Sequence, residues 1–136
     1  MLGIIIVCHK DLALSIKLAS CSILGKKDYF EAIEVLSNDT KEAVSIKIKN
    51  IVKAWENLDG VLIFVDLFGG TPCNASLDLL KEYENIDIIT GVNLPMILFA
   101  LSNNEKYKTV SSLVENVLKV STKSIINLKN LNIFKR

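Results

Sequence analysis

The sequence predicts an α/β fold in three layers: a mainly parallel four-stranded sheet, order 2-1-3-4, with helices on both faces. Three observations predict it. Short apolar runs rich in β-branched residues alternate with longer stretches of helical period. Turn-forming residues such as Gly25, Asp59-Gly60 and Gly91 stand between several of them. The chain has 136 residues, 50% hydrophobic and 23% charged, enough for one domain with its own core and too apolar for a disordered chain. Four strands each followed by a helix imply right-handed crossovers.

The first strand is Leu2 to Val7, an unbroken apolar run of the kind buried on both faces. Asp11 to Leu24 is helical, with Leu12, Ile16, Ala19 and Ile23 at spacings of four, three and four, and Gly25 ends it. Tyr29 to Leu36 is the second strand, and Ser37-Asn38-Asp39-Thr40 is a turn. Asp39 with Glu42 resembles a capping box. The helix it starts carries Val44, Ile48, Ile51 and Trp55 on one face, and Asp59-Gly60 breaks it. Val61 to Val65 is the clearest strand and runs straight into Asp66. A helix from Pro72 to Tyr83 follows, with Thr71 as N-cap and Pro72 as first residue. Ile86 to Thr90 is the fourth strand, and a short helix then runs to Leu101. Ser102 to Lys108 reads as a loop, and Val110, Leu113, Val114, Val117 and Leu118 mark the last helix. Residues 1–124 make the domain. The tail, 125–136, either extends that helix or forms an extra strand, and Ile125 to Phe134 fits both.

Sixteen basic against fifteen acidic residues leave a net charge of +1, without the basic excess of a protein that lives on nucleic acid. No apolar run approaches the roughly 18 residues that span a bilayer. The apolar start lacks a basic lead and stops at His9-Lys10-Asp11, so it is a strand and not a secretory signal. Cys8, Cys21 and Cys73, with a single histidine and no CxxC, read as free thiols of a cytoplasmic protein and not as a zinc site.

Ligands of parallel sheets bind beyond the C-terminal strand ends, at the switch point of the strand order. That rule selects four segments: Cys8-His9-Lys10, Ser37-Asn38-Asp39, Asp66 to Thr71, and Gly91-Val92-Asn93. His9 is either a loop histidine with no task or a reacting group. Asp66, after five apolar residues, is either a cap or a paired carboxylate at a cleft edge. In the order 2-1-3-4 the two are neighbours, and an aspartate on one ring nitrogen leaves the other as nucleophile. Gly69-Gly70-Thr71-Pro72 is helix-start punctuation or, beside His9 and Asp66, a seat for a phosphoryl group. Asn93 with Pro95 repeats the device and reads first as a structural cap. Cys8 points to the opposite face from His9 and is core. Cys73 is packing. Lys10 is a solvated lysine, or a charge that attracts phosphate or an acidic partner. Phe68 is a core plug or an exposed partner contact. No Walker motif or GxGxxG announces a nucleotide site.

These residues together resemble the IIA component of the mannose family of the bacterial sugar phosphotransferase system. The matching features are a strand ending in His9, the run Val65 to Ala75 (VDLFGGTPCNA) and the segment Gly91 to Met96 (GVNLPM), over residues 1 to 120. The resemblance implies a cytoplasmic homodimer that needs no metal or organic cofactor. It implies that His9 takes a phosphoryl group from the histidine-containing phosphocarrier protein and hands it to a IIB component for sugar uptake. Asp66 would pair with His9, and Gly69, Gly70 and Thr71 would cradle the phosphoryl group. Lys10, Phe68 and Asn93 would contact a partner or support the site. A C-terminal strand swapped between subunits is the part the tail would play. IIB and membrane components would be separate chains. Two residues depart from the family pattern: Lys10 stands where glycine is usual, and Leu67 where a hydroxyl residue is frequent. The rival readings are a receiver-like domain phosphorylated on Asp66, a regulatory module that senses phosphorylation, and the related phosphotransfer subunit of dihydroxyacetone kinases.

Overall fold

The computed structural model describes residues 1–131 and 133. Strands β1 (Leu2–His9), β2 (Phe30–Val35), β3 (Gly60–Val65) and β4 (Ile86–Ile89) form one sheet in the order β2-β1-β3-β4, parallel throughout. Helices α1 (Leu12–Leu24), α2 (Lys41–Ala54), α3 (Gly70–Leu80), α4 (Leu94–Asn103) and α5 (Val110–Lys123) complete the three layers. The expected architecture is the observed one.

The alternation of side chains along a strand builds two cores. Leu2, Ile4, Ile6 and Cys8 of β1 join Leu62 and Phe64 of β3 against Ala13 of α1, Ile97 of α4 and Leu113 of α5. Ile5 and Val7 join Ile63 and Val65 against Val44 and Ile48 of α2 and Ala75 and Leu79 of α3. Each such aliphatic side chain contributes about 1.5–3 kcal/mol on burial. With both faces covered, β1 and β3 have no room for a polar side chain until they leave the sheet.

Several boundaries differ from expectation, each for a local reason. Helix α3 begins at Gly70, with Gly69 rather than Thr71 at the N-cap. Pro72 therefore lies inside the first turn, where a missing N–H breaks no helical bond. The helix ends at Leu80, short of Tyr83. The Asp39–Glu42 capping box does not form. Thr40 caps α2 by accepting from Ala43 N at 3.1 Å, while Asp39 turns back and accepts from Leu36 N at 2.8 Å. Trp55 lies past the end of α2 and meets Tyr29 edge to face.

Helix α4 runs on to Asn103, into the segment read as a loop. The next residue, Asn104, is buried, and its side-chain amide donates to Leu2 O at 2.9 Å while its carbonyl accepts from Leu2 N at 2.9 Å. After α5 the described tail neither extends the helix nor forms a strand in the single chain. It carries a short 3-10 turn, Leu128–Asn130. The rest of that reading falls on Asn132 and Phe134, outside the described residues.

Gly60 opens β3 where three elements converge. A Cβ there would lie 2.5 Å from Val110 Cγ2 and 2.6 Å from Asn85 O. Gly60→Ala is expected to destabilise the fold by about 1–3 kcal/mol, seen as a lower urea midpoint. An unchanged midpoint would show that the β3–β4–α5 junction yields freely.

Candidate functional site

Parity sets the site. His9 follows Ile5 and Val7, so its side chain leaves the sheet on the α2/α3 side. In the register, Val7 lies opposite Val65 and His9 opposite Val35, which brings Asp66 alongside the end of β1. Asp66 Oδ2 accepts from both His9 N and His9 Nδ1, each at 2.9 Å. Its Oδ1 accepts from Leu67 N at 3.0 Å. The Asp66 side chain is 11% exposed and that of His9 46%.

Burial pushes the Asp66 carboxyl up. The backbone N–H of His9, the imidazole hydrogen bond and the imidazole charge outweigh it and hold the group below the usual carboxylate range. An ionised carboxylate only accepts, so the proton of this contact sits on Nδ1. Nε2 of the neutral ring then carries the lone pair.

That end of the ring faces α3. A Cβ on Gly70 would lie 3.3 Å from His9 Cε1 and 3.5 Å from Nε2, and Gly70 has φ +77°. Both facts require glycine: a side chain would strain the backbone and crowd the nucleophile. Gly69, at φ +84°, makes the turn that starts the helix. Thr71 is half-buried in the first turn and does not cap it. The first-turn N–H groups of Gly70 and Thr71 have no intrahelical partner and sit at the positive end of α3.

The other residues singled out fall as follows. Asn93 caps α4, its Oδ1 accepting from Met96 N at 3.0 Å. Its loop is tied to β3 by Val92 N donating to Val65 O at 3.1 Å. Phe68 is 90% exposed, so it is no core plug. Lys10 is exposed at φ +52°, and its N–H donates to Val35 O at 2.8 Å. Cys8 is buried on the opposite face, where burial first and then the Asp66 charge push its thiol up to about 12. Cys73 is buried in α3 as packing.

Sequence reasoning missed a rim of exposed apolar side chains at the strand ends, Leu12, Leu36 and Leu67, beside Phe68. Their signal was their position, in or next to the loops that follow β1, β2 and β3. The site is an open seat. A cleft of about 330 Å³ lies at the other end of the sheet, lined by Trp55, Leu58, Gly60 and Tyr83. Among the described residues no cluster of three or more His, Cys, Asp or Glu is placed to hold a metal ion, and no helix is long and apolar enough to cross a membrane.

Known proteins resemble the chain over most of its length. The EIIA-man family model, described as "PTS system fructose IIA component", matches residues 3–118. The "PTS system fructose-specific EIIA component" of Bacillus subtilis (strain 168) is 31% identical, over 91% of this chain and 84% of its own. The "PTS system sorbose-specific EIIA component" of Lacticaseibacillus casei is 32% identical, over 86% and 83%. The crystal structure of phosphotransferase system component EIIA from Streptococcus agalactiae superposes with a TM-score of 0.88 at 28% identity, over 96% of this chain and all of that one.

Two predictions follow from the His9–Asp66–Gly70 geometry. The folded state holds Asp66 ionised below the ordinary carboxylate pKa of about 3.9, so its contribution to stability is full above that value and is lost as pH falls through the lower folded one. Urea midpoints of wild type and Asp66→Asn should therefore converge as pH drops from about 5 toward 3. A constant gap would remove the carboxylate charge from the account. Gly70→Ala should fold yet block the nucleophile, so that reaction of Nε2 with diethyl pyrocarbonate slows markedly. An unchanged rate would show that Nε2 does not face Gly70.

Proposed function

We propose that this chain, which belongs to the EIIA-man family of sugar phosphotransferase system components, carries a phosphoryl group on Nε2 of His9 between two proteins. The observation that carries the reading is the Asp66 contact, which takes up Nδ1 and leaves Nε2 beside the bare start of α3.

In the accepting step, Nε2 attacks the phosphorus of the phosphohistidine on the histidine-containing phosphocarrier protein. The new N–P bond forms as the carrier's N–P bond breaks, and the electron pair leaves with the carrier's imidazole. Asp66 holds the Nδ1 proton and offsets the positive charge that grows on the ring. The N–H groups of Gly70 and Thr71, with the Thr71 hydroxyl and the turn at Gly69, receive the phosphoryl oxygens. The transition state is loose, so positioning and charge account for most of the catalysis. The donating step reverses this toward a IIB component.

An open seat rimmed by Phe68, Leu67, Leu36 and Leu12 suits a phosphoryl group delivered on a protein surface better than a free small molecule. Phe68 is the aromatic anchor of that contact, and Asn93 holds the neighbouring loop. Nothing in the step calls on a cofactor. The same reading places the protein in the cytoplasm as a homodimer, with the exposed Ile125, Ile126 and Leu128 of the tail as apolar surface for a second copy. Phosphorylation on Asp66 itself is disfavoured, because both its oxygens already accept hydrogen bonds.

The test is intact mass after incubation with phosphoenolpyruvate, the general phosphotransferase enzyme and the phosphocarrier. Wild type should gain one phosphoryl mass, labile to acid, and His9→Ala none. Asp66→Ala should label at least about tenfold more slowly while remaining folded. Full labelling of His9→Ala would move the acceptor elsewhere.

A further inference from the structure

Four loops surround His9 at the C-terminal edge of the sheet: 10–11, 36–40, 66–69 and 90–93. They hold three carboxylates, Asp11, Asp39 and Asp66, and a single basic side chain, Lys10. Asp66 is committed to His9 and Asp39 to Leu36 N. Lys41, at the start of α2, is engaged with Asp78. Among the described residues Lys10 enters no ion pair.

Lys10 also stands at φ +52°, a backbone state that glycine adopts freely and a lysine only at a cost. The position is fixed from both sides, by the bond from Lys10 N to Val35 O and by the start of α1 two residues later. A strained residue with an unpaired charge, next in sequence to His9, calls for a reason.

Electrostatics supplies it. A phosphoryl dianion on Nε2 would sit beside the ionised Asp66, a like charge. The start of α3 offers only partial positive charge from backbone N–H groups. We infer that Lys10 is the counter-charge of the transferred phosphoryl group, its ammonium drawing the dianion to Nε2 at the lip of the site. The inference rests on the His9 reading and deepens it: the site includes a cation on a flexible four-carbon stem.

The test separates the phosphoryl group from the protein that delivers it. Phosphoramidate serves as a small donor: Nε2 forms the new bond to phosphorus, the phosphoramidate N–P bond breaks, and its electron pair leaves with ammonia. Labelling is followed by intact mass for wild type, Lys10→Met, Lys10→Arg, Lys10→Gly and His9→Ala, with urea melts to confirm folding. At low ionic strength Lys10→Met and Lys10→Gly should label about three- to tenfold more slowly than wild type, and Lys10→Arg at close to the wild-type rate. The gap should narrow with added salt, since an exposed charge is screened. Lys10→Gly should also raise the urea midpoint, by relieving the backbone.

Equal rates for wild type and Lys10→Met would overturn the inference and leave His9 as the acceptor untouched. A deficit seen only with the protein donor would overturn it as well, making Lys10 a docking charge. No His9-dependent label on wild type from either donor would bring down the phosphoryl-carrier reading, and this inference with it.

Discussion

One carboxylate oxygen, Asp66 Oδ2, takes two hydrogen bonds from one residue, the backbone N–H and the ring Nδ1 of His9. The first bond fixes where β1 ends relative to β3. The second fixes the ring and its tautomer. Neither depends on a ligand. Both arise because β1 and β3 are adjacent, parallel and buried on both faces, so each strand excludes polar side chains until its end. Asp66 is the first polar residue that β3 meets and His9 the first exposed residue of β1, and the strand register places them together. The hydrophobic core thus determines the polar contact.

The same edge sets what the contact faces. The chain passes from Asp66 through Leu67 and Phe68 to two glycines of positive φ and then into α3. Compressing strand end, loop and helix start into so few residues brings helix N–H groups close to the imidazole. Gly70 is the point of tightest approach, since the absent Cβ is the space in front of Nε2. Leu67 and Phe68 are pushed outward by that turn. Their exposure is the cost of the loop's shortness, and it leaves apolar surface where a protein carrier would arrive in the proposed relay.

Much of this is legible in the sequence. An apolar run ending in a lone polar residue marks a parallel strand and the edge where it leaves the core, and that pattern singles out His9 and Asp66, which the structure brings into contact. Periodicity also placed all four strands. It failed where several residues compete for one local role. Thr71 and Pro72 look like the start of a helix, but paired glycines let the chain turn earlier and put Gly69 at the cap. Asp39 and Glu42 fit a capping box by spacing, yet Thr40 reaches the helix N–H and Asp39 closes the turn behind it. The buried Asn104 is fixed by Leu2, a partner 102 residues away that no local pattern shows. The positive φ of Lys10 is likewise invisible to propensity, because the conformation is imposed by the β2 edge and by α1.

A carrier differs from an enzyme of one-way chemistry in what its site has to balance. Donor and acceptor bonds in the proposed relay are both N–P bonds to imidazole, so the exchange is close to balanced in energy. Small electrostatic contributions then decide its direction. A helix start contributes about 0.3–1 kcal/mol toward an anion, up to about 2 in a partly buried site. Asp66 acts in two senses: it favours the charged ring during attack and opposes the dianion once it has arrived. A site with Asp66 and α3 alone would shed the phosphoryl group readily. A cation at the lip shifts that balance toward retention without touching the reacting atoms, and because it is exposed it leaves room for the next partner's own charges to draw the group away. On this argument the turn at Lys10 and the loop at Gly70 form one device, with strain accepted at Lys10 and glycine used at position 70 so that a cation and bare backbone serve the same ring.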